Sequence, residues 1–225
     1  MFYFKKIFSY IFDFPVEKRQ SRFSGEVIVS FHQGQYKLST PNAIYSFGKN
    51  YTSFDIAFKS LDLQSTKIEN VLVLGFGLGS VVDLLEDYPV IKKITAIDAD
   101  VVIIELAQKY LQSKLKNKVT YYCEDAEKYI ITASQKFDLV LFDVFIDDVT
   151  PLQFMQPIFL SKLKDVINTN GILLFSKIDD SHKSKIENSL FEKSFTSVFP
   201  DAFSIDANGN KIFSWVNAAS SLRTQ

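Results

Sequence analysis

Residues 71–80 read Val-Leu-Val-Leu-Gly-Phe-Gly-Leu-Gly-Ser, so four apolar residues run directly into three glycines at alternate positions. The whole chain has only eight glycines in 225 residues. Glycine adopts positive φ without steric cost and lets another molecule approach the backbone closely. A helix that begins at such a turn presents unpaired backbone N–H groups and the positive end of its dipole. The stretch therefore predicts a strand, a tight turn and a helix, with a ligand held at the turn.

The spacing of the glycines, together with a later aspartate, indicates which class of ligand the turn binds. The motif is Gly75-x-Gly77-x-Gly79, whereas the dinucleotide fingerprint would need a third glycine where Ser80 stands. Asp98 ends the next predicted strand, 19 residues after Gly79. A carboxylate at that point can accept the hydrogens of both ribose hydroxyls. The spacing favours a nucleoside-bearing cofactor; the alternative is a simple chain reversal, with Asp98 as a helix N-cap.

Another carboxylate follows the third strand of this series. In the stretch CEDAEKYI (123–130), Asp125 and Ala126 come directly after the predicted strand 119–123. Ligands bind at the carboxyl ends of the strands in open α/β sheets, where a carboxylate can accept the exocyclic amine of adenine. Together with the glycine turn and Asp98, Asp125 predicts an adenosine site. Taken alone, Asp125 is equally consistent with a helix N-cap.

Apolar runs alternate with helical patterns from residue 71 onward. The predicted strands cover 71–75, 94–98, 119–123, 137–143 and 171–177, and the predicted helices about 80–87, 101–112, 155–167 and 183–195. Continuous apolar strands separated by helices are typical of a parallel sheet covered on both faces. The tail departs from this alternation, because Asn208-Gly209 lies between the runs 202–206 and 211–216. That pattern predicts a terminal antiparallel hairpin.

The chain before the glycine turn predicts a smaller unit. Short β-prone segments between residues 26 and 47 predict an antiparallel β unit, and residues 53–63 a helix. Helical spacing of apolar residues also predicts a short N-terminal amphipathic helix through Phe4, Ile7, Phe8, Ile11 and Phe12. Its polar face has few cations, so we expect it to pack on protein rather than on a membrane. The predicted division is 1–66 for the helix and β unit and 67–225 for the cofactor-binding domain.

Composition excludes several classes of function. The chain has 25 basic and 26 acidic residues, which gives no broad positive field for nucleic acid. The single Cys123 forms no internal disulfide, and with His32 and His182 it makes no metal-ligand cluster. A reducing cytoplasm is expected. The aromatic N-terminus is interrupted by charges and lacks a small-residue cleavage site, so neither a signal peptide nor membrane attachment is expected.

The order of these segments resembles the class I S-adenosylmethionine-dependent methyltransferase fold, and within it the spermidine synthase-like branch. The resemblance rests on VLVLGFGLG, ITAIDADVVIIELAQKYL, VTYYCEDAEKYI, FDLVLFDVF and GILLFSK and covers about residues 70–217. The preceding β unit is similar to the N-terminal domain of that branch. The resemblance implies a Rossmann-like α/β fold, with a mostly parallel seven-stranded sheet whose last strand is antiparallel.

The same resemblance implies the site residues. The implied cofactor-binding residues are Gly75, Phe76, Gly77, Gly79, Asp98, Ala99, Asp125, Ala126 and Asp143. The glycines would line the methionine or aminopropyl side, Asp98 would bind the ribose, and Asp125 with Ala126 would meet the adenine. Asp143 would be the aspartate nearest the transferring group. There it would orient an acceptor amine and take up its proton.

Several positions depart from the pattern of true aminopropyltransferases. Leu78 replaces an acidic residue of the glycine loop, and Asp83 stands where that branch has an arginine. The Tyr-His-Glu stretch of the polyamine side reads Tyr51-Thr52-Ser53. Tyr45 and Tyr51 could face the pocket, but with ten tyrosines in the chain a structural role is favoured for both. These departures disfavour spermidine synthesis itself.

The acidic signature after the fourth strand is also displaced. It reads DVFIDD (143–148), so Asp147 and Asp148 are the candidates for a second catalytic carboxylate on a flexible lid that contacts a cationic acceptor. The alternative is a solvated turn with Asp148 or Thr150 as a helix cap and Pro151 in the first helical position.

The expected function is transfer of a methyl group from S-adenosylmethionine to a small acceptor. The first alternative is aminopropyl transfer from decarboxylated S-adenosylmethionine, with methylthioadenosine as a further ligand of the same site. The second alternative is a non-catalytic homologue that keeps the nucleoside pocket or the fold alone. A nicotinamide-dependent oxidoreductase is disfavoured by the glycine spacing and the terminal hairpin. The apolar N-terminal helix and the exposed β unit lead us to expect a homodimer.

Overall fold

The computed structural model describes residues 9–10, 12–41, 43–88 and 90–218. Within them the chain forms a four-stranded and a seven-stranded sheet. The predicted N-terminal helix through Phe4, Ile7, Phe8 and Ile11 lies outside the described residues, and Phe12 is an exposed residue ahead of the first strand. The division of the chain at residues 66 and 67 stays a prediction.

The N-terminal sheet is antiparallel and its strands follow chain order. They are β1 (Phe14–Ser21), β2 (Gly25–His32), β3 (Gln35–Ser39) and β4 (Ile44–Ser46). The last three match the predicted β unit. Strand β1 was not predicted, because its segment FPVEKRQS is mostly polar on both faces. As an edge strand, β1 is held by its pairing with β2 rather than by an apolar face of its own.

The seven-stranded sheet has the predicted mixed topology. Its strands are β5 (Asn70–Leu74), β6 (Lys93–Asp98), β7 (Val119–Cys123), β8 (Phe137–Phe142), β9 (Ile167–Ile178), β10 (Phe203–Ala207) and β11 (Asn210–Val216). The spatial order is β10-β11-β9-β8-β5-β6-β7. Strands β5 to β9 are parallel, whereas β11 runs antiparallel to both β9 and β10. The hairpin predicted at Asn208-Gly209 is confirmed.

Six α-helices lie within the described residues. They are α1 (Ser53–Ser60), α2 (Ser80–Leu84), α3 (Val101–Tyr110), α4 (Ala126–Thr132), α5 (Pro157–Asp165) and α6 (His182–Val198). The helix predicted over 155–167 begins later, because Pro157 holds Gln156 in extended backbone and occupies the first helical position itself. The next strand also starts earlier than predicted, at Ile167.

Both faces of the large sheet are buried. Along β5, Val71 and Val73 enter one apolar cluster, while Leu72 and Leu74 enter the other. This is why the strand reads as an unbroken apolar run rather than an alternating one. The second cluster also holds Trp215, the single tryptophan, which is 2% exposed and donates its indole N–H to the carbonyl of Pro200 at 2.9 Å.

The N-terminal sheet packs against the glycine turn. Val27, Val29 and Leu38 of that sheet share a buried cluster with Leu78 of the turn and Ile103 of α3. The two sheets therefore meet where the site was predicted. In the part of the chain that the structure describes, no helix is long and apolar enough to cross a membrane.

Candidate active site

A cavity of about 540 Å³ opens at the carboxyl edge of the parallel strands, beneath the N-terminal sheet. Five consecutive parallel strands each contribute to its wall just at or after their ends: Gly75 after β5, Asp98 at the end of β6, Asp125 after β7, Asp143 after β8 and Asp180 after β9. Open α/β sheets bind ligands at this edge. The cavity is therefore the candidate site.

Two glycines of the turn are required by their surroundings. Gly75 has φ +81°, and an added Cβ would lie 2.3 Å from the backbone oxygen of Asp143. Gly77 has φ +55°, and its Cβ would lie 2.9 Å from the backbone oxygen of Tyr45. Any side chain at either position would collide with backbone as well as strain its own. Both glycines line the cavity, so backbone is exposed to a ligand there.

Asp98 faces the turn rather than capping a helix. Its Oδ2 accepts the backbone N–H of Phe76 at 3.1 Å, and its Oδ1 accepts that of Asp100 at 3.0 Å. The N-cap of α3 is Asp100, whose side chain accepts the N–H of Val102. Burial raises the pKa of Asp98 to about 6, although these backbone N–H groups oppose the rise. The N-cap interpretation of Asp98 is wrong, and its carboxylate, with Ala99, lies on the cavity wall.

Asp125 is a helix N-cap, one of the two interpretations that the sequence left open, and its role toward adenine stays a prediction. It is the N-cap of α4, with Oδ1 accepting the N–H groups of Glu127 at 2.9 Å and Lys128 at 3.2 Å. It also lines the cavity together with Ala126. Its Oδ2 lies 3.5 Å from the side-chain nitrogen of Gln153, a distance at the limit of hydrogen bonding. A second acceptor oxygen therefore remains for a ligand.

Asp143 is the most perturbed carboxyl of the cavity wall. Its Oδ2 accepts the hydroxyl of Tyr51 at 3.0 Å, while its buried Oδ1 has no hydrogen-bond partner of normal geometry among the described residues. Burial raises the pKa of Asp143 to about 7, against the lowering effect of the Ser176 and Tyr51 hydroxyls. Burial and the nearby Asp143 raise the pKa of Tyr51 well above its usual range, so Tyr51 stays a donor. A carboxyl with such a pKa can exchange a proton at neutral pH.

The acidic pair 147–148 lies in a tight turn. Asp147 has φ +56°, and the turn closes through a 2.9 Å hydrogen bond from the Ile146 N–H to the Val149 carbonyl. Both carboxylates line the cavity, and Asp148 is exposed. The helix-cap alternative is wrong, because Pro151 precedes a short 3₁₀ segment that lacks a side-chain cap.

Two predicted ligands are set back from the cavity. Phe76 is 4% exposed and packs its ring against Tyr121, so only its backbone is near the site. Gly79 is the N-cap of α2 and does not line the cavity. Leu78 is also turned away, into the cluster under the N-terminal sheet. Leu78, which departs from the aminopropyltransferase pattern, therefore packs against the N-terminal sheet.

Part of the cavity wall consists of residues that were not predicted from the sequence. Tyr45 and Tyr51, for which a structural role was favoured, both line the cavity. Asp100, Glu124 and Asp180 do so as well. All three stand within three residues of a strand end, so counting every acidic residue near those ends would have found them.

The wall carries charge of a single sign. Eight acidic residues line it: Asp98, Asp100, Glu124, Asp125, Asp143, Asp147, Asp148 and Asp180. Within the described part of the chain, no lysine, arginine or histidine lines it. Such a cleft concentrates cationic ligands and repels anionic ones.

The seven-stranded sheet with its terminal antiparallel hairpin has the class I S-adenosylmethionine-dependent methyltransferase-like fold. Residues 58–206, more than half of the chain, match the family model of the spermine/spermidine synthase domain. The chain therefore belongs to the spermine/spermidine synthase family.

Individual relatives are distant. A polyamine aminopropyltransferase of Vibrio vulnificus is 26% identical over 157 residues, which is 67% of this chain and 51% of that protein. The chain thus spans about half the length of that curated relative. A probable spermidine synthase from Corynebacterium glutamicum has a similar structure, with a TM-score of 0.76 at 14% identity over 93% of this chain and 83% of that one. Human methyltransferase-like protein 13 in complex with SAH has a TM-score of 0.59 at 20% identity, over 73% of this chain and 78% of that one. These structures establish likeness of fold.

Proposed function

We propose that the chain transfers an aminopropyl group from decarboxylated S-adenosylmethionine to an amine acceptor. The observation that carries the proposal is the wall of eight carboxylates without a facing cation among the described lining residues. The decarboxylated donor has a sulfonium and an ammonium group and no carboxylate. Intact S-adenosylmethionine adds an α-carboxylate, which this wall would repel. Membership of the spermine/spermidine synthase family supports the same choice.

The donor would lie against the glycine turn, Asp98 and Asp125, which we call the donor wall. Backbone at Gly75 and Gly77 approaches it closely, Asp98 can accept ribose hydroxyls, and Asp125 can accept the adenine amine. The residues present fit this ligand, because Asp98 and Asp125 each keep acceptor capacity beyond their backbone bonds.

The acceptor would lie against Tyr51, Asp143, the 146–149 turn and Asp180, which we call the acceptor wall. The neutral acceptor nitrogen attacks the methylene carbon next to the sulfonium sulfur. The carbon–sulfur bond breaks, its electron pair stays on sulfur, and methylthioadenosine leaves. Asp143 takes the proton that the nitrogen loses, and the Tyr51 hydroxyl fixes the orientation of its carboxylate. Since the sulfonium is already a good leaving group, alignment supplies much of the rate.

Titration calorimetry with four ligands tests the donor half of the proposal. S-adenosylmethionine, its decarboxylated form, methylthioadenosine and NAD are titrated in parallel, and the decarboxylated form should bind tightest. Mass spectrometry of reactions with a series of diamines should then detect aminopropylated product. Preference for intact S-adenosylmethionine with a methylated product would replace the proposal by methyl transfer. Binding of none of the four would favour a non-catalytic homologue.

The expected homodimer and cytoplasmic location stay predictions. Light scattering of the purified chain tests the first directly, and a purely monomeric particle would refute it.

A further inference from the structure

The 146–149 turn is attached to the N-terminal sheet at one residue. The backbone N–H of Asp147 donates to the hydroxyl oxygen of Tyr45 at 2.6 Å. The hydroxyl of Thr40 donates to Oδ1 of the same aspartate at 2.8 Å. The 146–149 turn therefore meets β4 and the loop that joins β3 to β4 at Asp147, although these segments are about a hundred residues away in sequence.

The backbone of Asp147 needs outside support. Its φ of +56° is a left-handed conformation, which residues with a side chain rarely adopt and which persists where neighbouring contacts fix it. Tyr45 can give that support, since burial raises the pKa of Tyr45 and keeps its hydroxyl protonated. The hydroxyl can accept the N–H of Asp147 and at the same time donate to Ser24 Oγ, 2.7 Å away.

The attachment lies on the cavity itself. Tyr45, Ser24 and residues 146–148 all line the wall. The carbonyl of Tyr45 also packs on the glycine turn, close to the position of a Cβ on Gly77. The N-terminal sheet thus touches the donor wall through the backbone of Tyr45 and the acceptor wall through its side chain.

We infer that Tyr45 and Thr40 are positioning residues for the acceptor. By holding Asp147 they keep the 146–149 turn, with the carboxylates of Asp147 and Asp148, at the wall beside Asp143. A cationic acceptor is attracted by these carboxylates and meets the base next to them. The inference rests on the proposed function, because it assigns the turn to the amine acceptor.

The test compares single hydroxyl deletions with matched controls. Tyr45→Phe and Thr40→Val each remove one hydrogen bond to Asp147, while Thr40→Ser keeps the hydroxyl. Tyr122→Phe is the control for a tyrosine, since its hydroxyl has no hydrogen-bond partner among the described residues and lies outside the cavity wall. The readouts are acceptor KM and kcat, donor Kd by calorimetry, and hydrogen exchange of the Asp147 amide.

Each deletion should raise acceptor KM about three- to tenfold, the scale of one hydrogen bond. We expect kcat and donor Kd to stay within about twofold, and Tyr45→Phe to speed exchange of the Asp147 amide about tenfold. Thr40→Ser and Tyr122→Phe should match the wild type. This separation of KM from kcat, with rescue by serine, is not expected from general destabilisation.

Two results would overturn the inference while the proposed function stands. One is an active wild type whose acceptor KM is unchanged in both deletion variants. The other is a rise in donor Kd equal to the rise in acceptor KM. A wild type that transfers nothing to any diamine would overturn the proposed function and this assignment together, and it is recognised before any variant is made.

Discussion

The donor wall and the acceptor wall of the cavity are built by different means. The donor wall consists of consecutive strand ends of one parallel sheet, where β5, β6 and β7 deliver the glycine turn, Asp98 and Asp125. The acceptor wall combines Tyr51, Asp143 and the 146–149 turn after β8, and Asp180 after β9. The ends of three neighbouring strands place the residues of the donor wall. The acceptor wall depends on contacts between segments that are distant in sequence, such as Tyr51 with Asp143 and Thr40 with Asp147.

The largest expected effect is a loss of turnover without a loss of donor affinity, and it is expected for a change at Asp143 on the acceptor wall. Asp143→Asn removes the proton acceptor, so turnover should fall by roughly two orders of magnitude or more, while calorimetric donor affinity stays near wild type. Asp165→Asn, an exposed position at the end of α5, is the control. Loss of donor binding without a separate rate effect would move Asp143 from the acceptor wall to the donor wall.

The next effect concerns the donor wall. Asp98→Ala should weaken binding of the decarboxylated donor by about 1.5–3 kcal/mol, the scale of hydrogen bonds to a charged group. The same change unpairs the N–H groups of Phe76 and Asp100, so thermal unfolding must be followed alongside. Asp98→Asn, which keeps one acceptor oxygen, should fall between the wild type and alanine. Unchanged affinity in the folded alanine variant would remove Asp98 from the donor wall.

The pH dependence of stability tests the burial of Asp143 on the acceptor wall and of Asp98 on the donor wall. Burial raises the pKa of Asp143 to about 7 and that of Asp98 to about 6, from about 3.8 in the unfolded chain. The folded state therefore binds more protons than the unfolded state between pH 4 and 7. The stabilising contribution of these two carboxyls is fully present below about pH 4 and is lost as the pH rises through their folded-state pKa values.

Denaturant unfolding at several pH values measures this loss. Between pH 5 and 7 the free energy of unfolding should fall by about 2 kcal/mol through Asp143 and about 1 kcal/mol through Asp98, roughly 3–4 kcal/mol together, since one pKa unit corresponds to about 1.4 kcal/mol. Asp143→Asn should reduce the slope and leave the contributions of Asp98 and of Asp83, because burial also raises the pKa of Asp83 to about 6. An unchanged slope in this variant would show that Asp143 titrates normally and is not desolvated.

The smallest effect is at the rim of the acceptor wall. Asp180 is exposed, so screening weakens its pull on a cationic acceptor. Asp180→Asn should raise acceptor KM about two- to fivefold, and the difference should shrink as salt is added. Asp206→Asn, another exposed aspartate outside the cavity wall, should have no such effect. A KM difference that persists in high salt would point to a direct contact instead.

The sequence allowed more of the donor wall than of the acceptor wall to be predicted. The positions of strands β5 to β9 along the chain, the glycine turn and the positions of Asp98 and Asp125 could be predicted, because local apolar runs and strand ends determine them. Strand β1 could not, since its segment is polar on both faces and depends on β2. Tyr51 and Tyr45 could not either, because their place in the wall depends on partners about a hundred residues away. Leu78 stands where aminopropyltransferases have an acidic residue, and in the structure it packs against the N-terminal sheet.

The position of Trp215 gives the chain a built-in optical probe. The single indole is buried beside Phe199 in the cluster around α6, and it does not line the cavity. Its intrinsic fluorescence should therefore change when the cluster around α6 unfolds and should change little when an adenine ring binds in the cavity. Emission at the red edge of excitation would follow unfolding free of interference from the ten tyrosines. Because the Trp215 emission does not respond to ligand, a ligand titration by fluorescence would need a second fluorophore, placed on the 146–149 turn.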